Sequence, residues 1–189
     1  NWAFEFEDQP PFAGFRTLTS DGIDLHVLNV FRMFSQMGGQ QLAAESDHSA
    51  SLDSILKGGV RTRPDVSALA SLASNRLCVL VWHYHDDDSP GPAADIKLTL
   101  DGLPAKIVKA QVRCFRIDAD HSDAFTVWQQ MGSPMQPTTK QFAKLEEAGQ
   151  LAELEPSKKI HFRNGQGILH ITLPREAVSL LVVEWRMPH

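Results

Sequence analysis

The run Leu77-Cys78-Val79-Leu80-Val81-Trp82 constrains this chain more than any other stretch. Successive side chains of a strand point to opposite faces, so an unbroken apolar run needs cover above and below. It predicts a central strand in a sheet with a second layer packed on it. Ile96, Leu98 and Leu100 alternate with Lys97 and Thr99, the mark of a strand with one wet face. Further strands are expected over 41–45, 66–73, 107–117, 159–163, 167–173 and 178–185. Asn164-Gly165 is a strong hairpin signal, because a type I′ turn needs positive φ at both central positions. Many short strands with turn residues between them make a mainly β fold, an antiparallel β-sandwich. Residues 46–57 read as a polar loop with one apolar patch. Thr138 reads as the N-cap of a helix to about Gln150, with Phe142 and Leu145 inward.

The first 37 residues show a different pattern. Residues 1–8 read as a strand that carries an aromatic ring and several carboxylates. The loop after it holds Pro10, Pro11, Gly14 and Gly22, residues that fix and release the backbone as turns require. Val27, Val30, Phe31, Phe34 and Met37 then recur at helical spacing and predict a helix with one buried stripe, stopped by Gly38-Gly39. Strand, functional loop and helix together form one βα unit of a (β/α)8 barrel, where chemistry sits on loops at the carboxyl ends of the strands. One unit cannot close a barrel. The expectation is therefore a C-terminal piece of a larger enzyme.

The 189 residues, 42% hydrophobic and 22% charged, suit one ordinary core with an appendage. A formal charge of −5 gives no electrostatic reason to expect nucleic acid or an anionic membrane as partner, and a neutral substrate fits better. No apolar run reaches the roughly 18 to 20 residues that span a bilayer. Cys78 and Cys114 both fall inside apolar, strand-like runs, where a free thiol behaves as a small buried hydrophobe.

Several segments, taken in order, carry a family resemblance. Trp2-Ala3-Phe4, Phe6-Glu7-Asp8, Pro10-Pro11-Phe12, Gly14-Phe15, Gly22-Ile23 and Val27-Leu28-Asn29-Val30-Phe31 resemble the last barrel unit of glycoside hydrolase family 39. Gly102-Leu103-Pro104, Arg116-Ile117-Asp118 with His121-Ser122, Trp128-Gln129-Gln130-Met131-Gly132, and Pro137 with Gln141-Phe142 resemble its accessory β-domain. Known members are β-xylosidases and α-L-iduronidases. The resemblance implies a final βα unit over 1–37 and a β-sandwich accessory domain over 41–189.

In glycoside hydrolysis of the usual kind two carboxyl groups flank the scissile bond. Glu5 and Glu7 would share one side of an extended strand about 7 Å apart, which does not bracket a sugar from opposite faces. The family carries its acid/base and nucleophile glutamates on earlier strands, and the Asn-Glu-Pro motif of the acid/base is absent here. No catalytic residue is expected in this chain. What remains is substrate binding: a Trp face packs on a pyranose ring and carboxylates accept hydrogen bonds from its hydroxyls. By resemblance Trp2 walls the glycone subsite, and Glu7 with Asp8 match the family's Phe-Glu-Glu step at the pocket mouth. Asp8 in place of the second Glu shortens the reach by one methylene. Glu5 is a weaker member of the same set. The plain alternatives are a barrel-core aromatic for Trp2 and merely solvated loop carboxylates.

Two other clusters invite a reading. His83 and His85 point the same way on a strand and stand before Asp86, Asp87 and Asp88, a pattern that could hold a metal. A strand ending in a hydrated acidic turn is the better reading, so no metal is expected. Asp118, His121 and Ser122 have the residue types of a hydrolase triad, yet no Gly-x-Ser-x-Gly elbow frames the serine. A structural, hydrogen-bonded histidine is expected there. The resemblance thus implies the C-terminal portion of a retaining β-xylosidase that works without cofactor on xylose-containing oligosaccharides, in partnership with the remainder of the barrel. The rivals are a non-catalytic carbohydrate- or protein-binding sandwich and an α-L-iduronidase-like activity.

Overall fold

The structure is a computed structural model that describes residues 11–12, 18–87 and 89–186. In chain order the elements are β1 (Thr19–Ser20), β2 (Ile23–Asp24), α1 (His26–Gln36), β3 (Gln40–Leu42), α2 (Leu52–Gly58), β4 (Asp65–Ala73) and β5 (Arg76–Tyr84). They continue with β6 (Ala94–Leu100), β7 (Lys109–Ile117), α3 (Ala124–Gln130), α4 (Thr139–Gly149), β8 (Glu153–His161), β9 (Gly167–Leu173) and β10 (Ala177–Glu184). The chain divides into two compact units. One is the chain up to Ser35 together with Arg116–Ala152, and the other is Gln36–Phe115 with the chain from Glu153 on.

The larger unit is mainly β. A six-stranded sheet has the order β3-β4-β5-β10-β7-β8, and β6 pairs with β9 in a second sheet. The β3–β4, β4–β5, β5–β10, β7–β8 and β6–β9 pairs are antiparallel. The two sheets share one core. Leu77, Val79 and Val81 of β5, Leu181 and Val183 of β10, and Ala110 and Val112 of β7 pack with Leu100 and Leu173 of the smaller sheet. The other face of the central strands is closed as well, with Cys78, Leu80, Leu180 and Val182 all buried. β5 is therefore the doubly covered strand that its sequence requires. β6 alternates half-buried apolar with exposed polar residues up to its buried last residue, as its period dictates.

Three elements depart from their sequence reading. Residues 46–57 contain α2, whose N-cap Ser51 accepts a hydrogen bond from the Ser54 amide. Leu52 and Leu56 stay 71% and 77% exposed there, so this helix rests on its cap and its Asp53–Lys57 pair rather than on burial. β8 begins at Glu153, well before the apolar residues near its end. An edge strand needs no buried face and tolerates Pro156, Lys158 and Lys159, which blunt the edge against further pairing. Asn164 and Gly165 do take positive φ (52° and 80°), but the turn is closed by a single bridge, Arg163 to Gln166. The turn hands the chain from one sheet to the other, since β8 pairs with β7 and β9 with β6. A Cβ at position 165 would run into the Leu103 carbonyl.

In the smaller unit, β1 and β2 form a short hairpin around Asp21-Gly22, both with positive φ, within the loop expected between residues 8 and 24. α3 and α4 form a helical pair, and α4 starts on a capping box between Thr138 and Gln141. Ile23, Ala124 and Leu145 are fully buried together. α1 turns a different face inward than its apolar stripe predicts: Asn29 and Met33 are buried, while Phe31 and Phe34 are 55% and 44% exposed. Of the expected stripe, Val27, Val30 and Met37 are half-buried and Phe31 and Phe34 are exposed. The centre of the inward face is Asn29, a polar residue satisfied by well-placed partners, and the helix is turned part-way from the predicted orientation.

Both cysteines are free and buried. The Cys78 thiol donates weakly to the Gln36 carbonyl (3.4 Å), and burial pushes its pKa up against the opposing pull of Arg76. Alkylation by iodoacetamide is expected to be negligible in the folded protein and complete in denaturant, as mass spectrometry will show. Cys78→Ser should cost about 1 to 3 kcal/mol, because the shorter C–O bond draws the buried hydroxyl back from the Gln36 carbonyl that the thiol meets at 3.4 Å, read as a shift in the urea midpoint.

Candidate functional site

Trp2, Glu5, Glu7 and Asp8 lie outside the described residues. What the structure describes is the frame in which the same loop continues, beginning at Pro11 and Phe12. Pro11 is buried and Phe12 has φ 63°, a left-handed conformation that costs a bulky residue about 1 to 2 kcal/mol. Two sets of contacts hold it there. The Phe12 amide donates to Ser20 Oγ at 2.7 Å, and Ser20 is itself buried on the β1–β2 hairpin. The Phe12 ring meets Phe125 edge-on at 5.9 Å between centroids and Trp128 at 5.3 Å, and Phe125 stacks on Trp128 at 5.8 Å. Aromatic pairs contribute about 0.5 to 1.5 kcal/mol each beyond area burial, and the hydrogen bond adds about 1, so the contacts outweigh the strain.

The helices that carry this cluster are tied to α1 through Asn29. Its Nδ2 donates to the Ser122 carbonyl (3.1 Å) and to the Gly149 carbonyl (2.8 Å), at the start of α3 and the end of α4. Its Oδ1 accepts from Arg32, which also pairs with Asp24 at 2.8 Å. Gly149 sits so near the Asp24 carbonyl that a Cβ would stand 2.6 Å from it. Asn29 is thus a fully used polar group in a dry place. Apolar periodicity does not single it out, although an Asn inside an apolar helical run is a poor helix former that needs a reason to be there. α3 is capped by Asp123, which accepts from the Phe125 amide (3.0 Å) and the Thr126 hydroxyl (2.8 Å) and pairs with His26 at 3.7 Å. Desolvation pushes the Asp123 carboxyl up, but His26 and the two donors outweigh it and hold its pKa below the ordinary value.

The triad types do not assemble. His121 Nδ1 bonds Asp118 Oδ1 at 2.7 Å, and the other Asp118 oxygen faces Arg116 at 3.4 Å. Ser122 is buried with φ 56°, and its hydroxyl accepts from the Ala152 amide at 3.2 Å. The histidine is the structural, hydrogen-bonded one that the sequence leads one to expect. His83 through one ring nitrogen and His85 through both are bonded to the backbone. His83 Nδ1 bonds the Leu173 carbonyl (3.0 Å), and His85 Nε2 bonds the Arg61 carbonyl (2.9 Å) while its Nδ1 accepts from the Asp87 amide (3.1 Å). Among the described residues no group of three or more His, Cys, Asp or Glu side chains could hold a metal ion. A shallow groove of about 220 Å³ beside Trp82, Tyr84 and Val178 is mostly apolar and gathers no set of convergent polar groups.

Comparison with known proteins gives a consistent result. The sequence profile of glycosyl hydrolases family 39 matches residues 3–161. A search of curated protein sequences returns no match. Among solved structures, the fold is similar to a family 39 enzyme from Xanthomonas axonopodis pv. citri, with a TM-score of 0.72 and 17% identity over 94% of this chain and 33% of that one. A monomeric β-xylosidase from Caulobacter crescentus gives a TM-score of 0.68 and 18% identity over 94% and 34% of the two chains. A bacterial orthologue of human α-L-iduronidase gives 0.71 and 18% over 98% and 30%. The chain spans about a third of the length of these structures.

Replacing Asn29 by Leu leaves two buried carbonyls without donors and should destabilise the fold by about 2 to 4 kcal/mol, measured by chemical denaturation. Asp123 gives rise to a pH effect. Its folded pKa is depressed, so its contribution is present above the unfolded value near 4 and is lost as pH falls through the folded value. Asp123→Asn keeps a neutral cap, and its deficit in melting temperature against the parent should therefore be largest near pH 6 and vanish toward pH 2.

Proposed function

The chain belongs to glycosyl hydrolase family 39, and from that premise we propose that it is the C-terminal part of a retaining β-xylosidase that releases terminal xylose from xylo-oligosaccharides. The observation that carries this reading is one continuous family match from residue 3 to residue 161, across the leading segment and most of the strands and helices after it. Residues 1–37 supply the final βα unit of the barrel, and 41–189 supply the accessory β-domain. The solvent-facing Phe31 and Phe34 of α1 support a barrel neighbour on that side, because a βα-barrel helix packs against the helices next to it. The preference for xylosides over iduronides rests on the Trp2-Ala3-Phe4, Phe6-Glu7-Asp8 and Pro10-Pro11-Phe12 segments.

The chemistry needs two carboxyl groups and water, and no cofactor. Both carboxyl groups come from barrel strands ahead of this chain. In this reading Trp2 packs its ring on the xylose and Glu7 and Asp8 accept hydrogen bonds from its hydroxyls, with Glu5 a weaker member of the same set. A stand-alone carbohydrate-binding sandwich accounts for the two sheets but leaves the Trp and carboxylates of the leading segment without a task.

The 189-residue chain alone should not turn over an aryl β-xyloside, since neither proton donor nor nucleophile is in it. Turnover abolished by Glu7→Gln would overturn that. In the complete enzyme Trp2→Ala should lower kcat/KM by about two to three orders of magnitude, with the melting temperature nearly unchanged. Normal kinetics on titrated active sites with a collapsed melting temperature would place Trp2 in the barrel core instead.

A further inference from the structure

We propose that the groove beside Trp82 and Tyr84 is a sugar-binding shelf that stacks one neutral pyranose ring of an oligosaccharide. Trp82 and Tyr84 stand two apart on β5, so their side chains share one face of the sheet about 7 Å apart. Val178 of β10 pairs with Trp82 and lies on that same face. With Glu176 and Ala177 they line an open groove of about 220 Å³. Tyr84 and Glu176 are exposed and Trp82 is half-buried, so the groove is open to a ligand.

The polar ends of both rings are already committed. Trp82 donates its indole N–H to Asp65 Oδ2 at 2.7 Å, and the other Asp65 oxygen accepts from the Ala50 amide at 2.7 Å. Tyr84 donates its hydroxyl to Asp86 Oδ1 at 3.1 Å, while Asp86 Oδ2 accepts from the Val60 amide at 2.9 Å. Each ring is thus held in one orientation, and what it leaves to a ligand is its face. The ring hydrogens of a pyranose pack on such a face, and its hydroxyls donate to a carboxylate at the edge, the place that Glu176 occupies.

Other occupants fit less well. A stable protein interface takes about 800 Å² from each partner, far more than this groove offers. Among the described residues no Lys or Arg lines it, so an anion meets the Glu176 carboxylate and no cation. The family to which the chain belongs hydrolyses glycosides, which makes oligosaccharides the neutral ligands at hand. Because no set of polar groups converges on the groove, binding is weak, with a dissociation constant of about 1 to 10 mM.

The test is fluorine NMR of the complete glycosidase labelled with fluorotryptophan, in which the Trp82 signal is identified by its loss in Trp82→Phe. The probes are a thio-linked xylotetraose, which the enzyme does not cleave, and cellotetraose. A saturable shift of the Trp82 signal with a midpoint of about 1 to 10 mM is expected from one or both. Either saccharide upholds the shelf, which does not depend on the preference for xylosides. Tyr84→Leu keeps an apolar side chain but lacks the ring face, and should raise the midpoint about tenfold. If that variant fails to accumulate, Tyr84→Thr takes its place, since threonine suits a strand. No shift from either saccharide at about 50 mM, well above the expected midpoint, overturns the proposal. So does an unchanged midpoint in the Tyr84 variant. A Trp82 signal that moves with protein concentration in the absence of sugar assigns the groove to a second copy of the chain and overturns it as well.

Discussion

The smaller unit depends on one side-chain amide. Asn29 satisfies two backbone carbonyls that no helix or sheet reaches, one just ahead of α3 and one at the last residue of α4. A buried carbonyl without a donor costs about 1 to 3 kcal/mol, so the amide decides which face of α1 turns inward. The Phe31–Phe34 side of the helix stays exposed. The packing of Ile23, Leu145 and Ala124 depends on that choice.

Around this hub the strain at Phe12 becomes intelligible. The β1–β2 hairpin presents Ser20 to its amide and α3 presents two rings to its side chain, so elements from distant parts of the chain meet on one residue. Neither contact set would hold the left-handed backbone alone with much margin. Together they hold Phe12 in that conformation.

Most of the β part and the start of α4 are legible in the sequence because these elements obey period, burial and capping rules that act locally. The doubly apolar run at β5, the alternation of β6 and the capping box at Thr138 each state their environment in a few residues. Elements that rest on something other than burial are not. α2 is held by its cap and an exposed ion pair, β8 by its neighbour's hydrogen bonds, and α3 by a carboxylate cap and aromatic contacts. Of the site, residue types can propose Trp2 and the carboxylates, but they do not reveal Asn29 or Phe12. The importance of those two comes from partners 93 to 120 positions away for Asn29, and from Ser20 and α3 for Phe12.

The excursion from Arg116 to Ala152 also bears on how the chain reaches its fold. It leaves from the end of β7 and returns just before β8, and these two strands lie side by side in the sheet. Pairing them closes a loop of modest entropy cost, whereas bringing Asn29 to its partners directly means closing spans of 93 and 120 residues. Non-local contacts of that separation are slow to form unaided. The strand pair therefore acts as a clasp that gathers both ends of the helical excursion early, and α1, emerging from synthesis ahead of these elements, has to wait for α4 to be complete before its buried amide finds both carbonyls.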